Sequence, residues 1–232
     1  MKQIWKKILL GLLILILALT GAFFVYVSDY YRADASAKAL LETADITEKD
    51  RYLIVESDVA SDTALIFYPG GKVEYLAYLP LLDQITERTG ITCFLVEMPF
   101  NLAVFDSNAA DRIMAQHPMI QNWYVGGHSL GGAMASQYAS SNPQKIKGLI
   151  LMGAYLYGNY PASKTLTVYG TLNTEVADKI NYTEHVIAIE GGNHAQFGNY
   201  GKQKGDLDAA ISAESQQNQT VEAIRLFLSS QQ

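Results

Sequence analysis

Near-continuous apolar runs recur along this chain, separated by stretches with helical patterning, and no other feature limits its fold so closely. Ala64-Leu-Ile-Phe-Tyr68 has almost no polar face, so a strand built from it must be covered on both sides. Comparable strands are expected at Tyr52–Glu56, Thr92–Val96, Trp123–Val125, Gly148–Met152, Thr165–Tyr169 and Val186–Ile189. Helical stretches fall between them near Glu74–Thr89, Ser107–Gln116, Leu130–Ser140 and Thr174–Lys179, with a last one near Thr220–Ser229. Strand–helix–strand alternation with short connections predicts a three-layer α/β domain around a mainly parallel sheet. The Gly-, Gln- and Ser-rich segment Gln196–Gln219 reads as the most loop-like part of that domain.

The N-terminus is different in kind. Lys2, Lys6 and Lys7 precede an uncharged run from Ile8 to Val27. Twenty residues at 1.5 Å each reach roughly 30 Å, the depth of a bilayer's hydrocarbon core. Tyr26, Tyr30 and Tyr31 gather at the far end, as an interfacial aromatic belt does. Thr20-Gly21-Ala22 resembles a cleavage site, but signal-peptide h-regions run only about 7–15 residues, and this one continues through Phe23 and Phe24. An uncleaved signal anchor is therefore preferred over a cleaved signal peptide. With the lysines held inside, everything after Asp29 is exported. Residues 1–35 are expected to form the anchor and the start of a linker, 36–50 the linker, with a short helix at about Ala33–Glu42, and 51–232 the globular domain.

Charge narrows the partners. Taking the four basic and two acidic residues of positions 1–35 from the chain's formal charge of −6 leaves −8 on the exported part. An acidic domain is a poor match for nucleic acid, whose phosphates need a basic surface. Cys93 stands alone, so no internal disulfide forms, and no Cys/His spacing suggests a metal site. Neither metal nor cofactor is expected.

Chemistry concentrates at Gly126-Gly127-His128-Ser129-Leu130-Gly131-Gly132, which follows an apolar run and precedes a helix-like one. Strand, tight turn and helix is the context of a nucleophile elbow, in which glycines let the backbone turn sharply and leave the serine hydroxyl exposed. A serine needs a base. Of the four histidines, His128 sits inside the turn and is expected to pack. His117 reads as a surface or capping residue and His185 as solvated. His194, in the glycine-rich loop after Val186–Ile189, stands where the last strand of such a sheet delivers a base. An oxyanion needs two preorganised N–H donors. The residue after the nucleophile, Leu130, supplies one, and Gly71 in the loop Tyr68-Pro69-Gly70-Gly71-Lys72 is the favoured second.

Four blocks, Tyr68–Glu74, Met98–Val104, Gly126–Ala135 and Gly191–Gly198, together resemble an α/β-hydrolase over about residues 50–230. The subgroup most similar to them is the compact bacterial one grouped loosely with dienelactone-hydrolase-like proteins. The resemblance implies an esterase-type serine hydrolase with a small-molecule ester substrate. Dienelactone hydrolases proper use a cysteine and haloalkane dehalogenases an aspartate where this chain has Ser129. Relatives show Gly-x-x-Asp after the strand matching Thr165–Tyr169, the acid orienting the histidine; this chain reads Gly170-Thr171-Leu172-Asn173-Thr174-Glu175. Asn173 therefore holds the acid's position as a neutral residue, as in Cys-His-Asn sites. Glu175 has the charge and the reach, so it ranks slightly first as orienter, Asn173 second and Asp178 well behind. Asp106 and Asp111 read as a solvated face.

Only Gly153 to Lys164 separates two central strands, too little for a helical lid. Phe100, Leu102, Tyr155, Tyr157 and Tyr160 are candidates to line an apolar cleft. The expected activity is extracytoplasmic cleavage of a carboxylic ester through an acyl-enzyme. A peptidase or acyltransferase with the same residues, or a binding protein that has lost its triad at Asn173, remain the alternatives.

Overall fold

The computed structural model describes residues 2–43 and 45–231. The chain divides into two compact units after Tyr30. The first holds α1 (Lys2–Ser28), and Gln3–Ser28 is long and apolar enough to cross a membrane by length and composition. Leu10, Ile14 and Leu17 are exposed along it.

The second unit begins at Tyr31, so the stretch expected as a linker belongs to the domain. Here α2 (Ala35–Thr43) is followed by β1 (Ile46–Lys49). Small side chains explain the docking of α2: Ala33 and Ala37 are buried in the core, and Ala33 N–H donates to Glu74 Oε2 at 2.8 Å. The Asp34 carboxylate accepts from the Ala37 N–H and the Ser36 hydroxyl, fixing the first turn.

After β2 (Tyr52–Val55), strands and helices alternate: β3 (Thr63–Tyr68), α3 (Leu79–Thr89), β4 (Thr92–Val96), α4 (Ala109–Gln116), β5 (Asn122–His128) and α5 (Leu130–Ser141). Then come β6 (Gly148–Met152), β7 (Thr165–Gly170), α6 (Thr174–Ala177), β8 (Val186–Ile189) and α7 (Ala213–Ser230). They form one eight-stranded sheet in the order β1-β2-β4-β3-β5-β6-β7-β8. Among the described residues, only the β1/β2 and β2/β4 pairs are antiparallel. The fold is the expected mainly parallel α/β one.

Alternation along the central strands feeds two cores. Leu65 and Phe67 of β3 join the core shared with α3 and α7, while Ala64, Ile66 and Tyr68 join the one shared with α4 and α5. Register then levels the strand ends: Tyr68 lies beside Gly127, His128 beside Met152, and Gly170 beside Ile189. The carboxyl ends of β3, β5, β7 and β8 therefore open at one edge, where parallel sheets place their ligands.

Two expectations on extent are corrected. The fifth strand runs on through Gly126 and Gly127 to His128, Gly126 serving close strand packing and Gly127 both the strand and the turn that follows it. A Cβ on Gly126 would stand 2.6 Å from Ile150 O. The last helix starts at Ala213, seven residues earlier than expected, with the Ser212 hydroxyl accepting from Ser215 N–H at 3.1 Å. Its early turns look loop-like in sequence because Gln216 and Gln217, both polar, are buried.

Candidate active site

Ser129 sits between β5 and α5 with φ 51° and ψ −122°, a left-handed conformation that ordinary residues avoid. Glycines make this turn possible by letting backbones meet. A Cβ on Gly127 would lie 2.6 Å from both Tyr68 O and Gly131 C, and one on Gly132 would lie 2.6 Å from Ala154 Cβ. A Cβ on Gly131 would collide with the carbonyls of Tyr68 and Pro69. The turn leaves the first N–H groups of α5 without helical partners, and its positive end faces the serine.

Leu130, first residue of α5, packs against Gly71: a Cβ there would come within 2.9 Å of Leu130 Cδ2. The Gly71 loop is pinned on both sides, by Gly70 N–H donating to Tyr78 Oη at 3.1 Å and Lys72 N–H donating to Asn101 O at 2.8 Å. Among the described residues, neither the Gly71 nor the Leu130 N–H makes a hydrogen bond. Two adjacent, fixed donors without partners are what an oxyanion requires.

His194 follows β8 in a loop held by side chains far along the sequence. Buried Gln216 accepts from Asn193 N–H at 3.0 Å and donates to Asn193 O at 2.9 Å. Asn193 in turn donates to Leu207 O and accepts from Gln196 N–H. Asp206 accepts from His194 N–H at 3.1 Å and from Ala195 N–H at 2.7 Å. Nothing in the sequence marks Asp206 or Gln216, since a polar residue in a Gly/Gln/Ser-rich segment carries no periodic signal, or Asn193, in the glycine-rich turn before His194.

The order expected for the orienting residue is reversed. The Asn173 amide nitrogen lies 2.6 Å from His194 Nδ1. Glu175 is exposed, and among the described residues it makes no hydrogen bond to His194. The loop after β7 decides this. Thr171, Leu172 and Asn173 N–H groups donate to Ile189, Gly192 and Gly170 carbonyls, which presses Asn173 against the histidine loop. α6 begins at the next residue, and Glu175 on it and Asp178 just after it stand as exposed residues along the cleft.

With Nδ2 donating to Nδ1, the ring proton rests on Nε2; turning the amide presents Oδ1 to an Nδ1–H and frees Nε2 to accept. A carboxylate serves only the second state. Burial is the main effect on His194 and pulls its pKa below the usual imidazole range, with the charges of Asp206 and Glu175 opposing it. The imidazole is thus neutral at pH 7. No hydrogen bond joins Ser129 to His194 directly, as is common before a substrate aligns such a pair.

His128 does more than pack. Its ring is fully buried and lies 4.6 Å, centre to centre, from that of His194. His128 Nε2 stands 2.9 Å from His194 O, an acceptor only, so Nε2 carries the proton. Nδ1 is then an acceptor and receives the Tyr78 hydroxyl at 2.7 Å. A continuous path runs from Gly70 N–H through Tyr78 and His128 to the His194 carbonyl. The remaining histidines pack as well: His117 Nε2 lies 3.0 Å from Tyr52 Oη, and His185 meets the Phe227 ring edge-on. Asp106 and Asp111 pair with Arg112 and Lys145.

Ser129, Leu130, Asn173, His194 and Asp206 line one cleft of about 1100 Å³. Tyr155 and Tyr157 form part of its wall, as expected. Tyr160 does not, being buried with its hydroxyl on Ile146 O. Phe100 is not among the lining residues either, and Leu102 instead lies behind Gly71.

Comparison with known proteins agrees with this architecture. No curated protein matches the chain by sequence. Among solved structures, carboxyl esterase 2 from the mycorrhizal fungus Tuber melanosporum superposes with a TM-score of 0.57 at 14% identity, over 85% of this chain and 98% of that one. MenH from S. aureus gives 0.57 at 13% identity, over 79% and 99%. A membrane phospholipase A described as a bacterial virulence factor gives 0.50 at 13%, over 97% and 99%. At such identities these structures share the fold alone. The model of the alpha/beta hydrolase family, however, matches residues 64–218, two thirds of the sequence and every strand from β4 to β8: this chain belongs to the alpha/beta hydrolase family.

Proposed function

We propose that the protein is a membrane-anchored serine hydrolase whose domain faces away from the cytoplasm and cleaves a carboxylic ester through an acyl-enzyme. One observation carries this reading: Ser129, Leu130 and His194 line one cleft, and Gly71, packed against Leu130, offers a second N–H without a hydrogen-bond partner. Ser129 Oγ attacks the ester carbonyl while His194 Nε2 takes its proton, Asn173 Oδ1 then holding Nδ1–H. The Gly71 and Leu130 N–H groups receive the oxyanion, and the imidazolium returns the proton to the departing alcohol. Water repeats the sequence on the acyl-enzyme.

Chemistry favours an ester over an amide. An alcohol leaves with less protonation than an amine, and a neutral orienter stabilises the imidazolium less than a carboxylate does. The short β6–β7 connection, residues 153–164, leaves the cleft open to flexible acyl groups. The orientation rests on Lys2, Lys6 and Lys7 ahead of the apolar helix.

The test is hydrolysis of p-nitrophenyl esters of rising acyl length by the full chain in detergent. Ser129→Ala and His194→Ala should each lower turnover by about a thousandfold or more, and the double variant should be little worse than either, because such residues act as a unit. Near-normal turnover in Ser129→Ala would rule the reading out.

A further inference from the structure

Asn173 gives the His194 ring a direction without a charge. An imidazolium forming in a largely buried site needs a counter-charge, because burial disfavours the charged form. Resting on the serine-hydrolase reading of the cleft, we propose that Asp206 supplies this charge as a positioning residue for His194, in place of the carboxylate missing at Asn173.

Asp206 is attached to the backbone of the histidine itself. Its Oδ1 accepts from His194 N–H and its Oδ2 from Ala195 N–H, at 3.1 and 2.7 Å. Two charge-assisted bonds to consecutive amides hold the carboxylate in one place. Among the described residues no Lys or Arg pairs with Asp206, so its charge is not cancelled locally. It faces the same cleft as Ser129 and His194.

The other charges around His194 are less able to do this. Glu175, Asp178 and Lys179 on or beside α6 and Lys204 in the Asp206 loop are all exposed, where solvent screens them. His128, its ring 4.6 Å from that of His194 and tilted 43° to it, is buried and its pKa is held well below the imidazole range. It contributes no positive charge near pH 7. Of the carboxylates, Asp206 has the largest upward effect on His194, ahead of Glu175.

Full-length protein labelled at histidine Cε1 and held in detergent micelles allows the His194 titration to be followed by NMR, whether or not the protein turns over. Asp206→Asn should move that titration down by on the order of one pH unit. The acid limb of kcat/KM should move with it, and turnover should fall about ten- to a hundredfold. Adding Asn173→Asp should bring both back, since the charge returns on the other side of the ring. Asp206→Glu, which keeps the charge, should stay close to wild type and serves if Asp206→Asn does not fold.

An unmoved titration in folded Asp206→Asn, or a titration that drops in Asp206→Glu as if the charge were gone, would overturn the proposal and leave Asp206 as a loop clamp. The two readings separate cleanly. A titration that moves in a protein with no esterase turnover retains Asp206 and removes the hydrolase assignment. Normal turnover with an unmoved titration does the reverse.

Discussion

Tyr78 and His128 show how a residue expected only to pack acquires a second task. Tyr78 Oη is shared between Gly70 N–H and His128 Nδ1, and His128 passes the connection to the His194 carbonyl. The Gly70–Gly71 loop and the His194 loop are thereby set against each other by one buried path. Replacing Tyr78 with Phe leaves a buried amide and a buried ring nitrogen without partners, at roughly 1–3 kcal/mol for each group. Urea unfolding of Tyr78→Phe should show a loss of that size; a change within a few tenths would mean that the path is incidental. The pH dependence has a definite sign. His128 and His194 both have pKa values lowered in the folded state from the ordinary 6.5. Below about that pH the unfolded chain takes up protons that the native one does not. Stability is therefore fully present above it and is lost progressively as pH falls toward the folded values. Of these residues, Ser129 and His194 were legible from motif and loop position. Asn173 was legible as a position but not as the contact, because charge argued for Glu175 and only the loop geometry argues for Asn173. Asp206 left no signal, since its partners lie 11 and 12 residues away across an irregular loop.

At the scale of elements, the central strands could be read directly because burial on both faces leaves no polar alternation to misread. Sequence and structure part where a residue's chemistry points one way and its packing goes another. Gly126 and Gly127 look like turn formers, yet they finish β5 where neighbouring backbones leave no space for a side chain. Residues 36–50 look like a polar linker, yet small alanines let α2 dock and β1 pairs along its whole length with β2. Gln216 and Gln217 hide the start of α7. Gln216 spans the gap between that helix and the His194 loop, satisfying both the N–H and the C=O of Asn193. Gln216→Leu keeps the volume and removes both bonds, which should cost about 2–4 kcal/mol for two stranded backbone groups. Turnover should fall as well, because the loop carrying the base loses its brace. A variant as stable as wild type would mean that water replaces the amide without loss.

For the molecule as a whole, an acidic α/β-hydrolase domain follows a helix with the length and composition to cross a bilayer. The class of fold and the edge of the sheet that carries chemistry both follow from patterning, but the substrate does not. Tyr155 and Tyr157 stand in the cleft wall, and nothing in the sequence separates lining from packing there. The central claim is that Ser129 is an activated nucleophile on the outer side of the membrane. It is tested most directly by adding a membrane-impermeant fluorophosphonate to intact cells that express the chain and mapping the adduct by peptide mass spectrometry. The account predicts modification of Ser129 before lysis, abolished in Ser129→Ala and strongly reduced in His194→Ala. Modification only after lysis would contradict the orientation, and an unmodified Ser129 in both conditions would contradict the nucleophile itself.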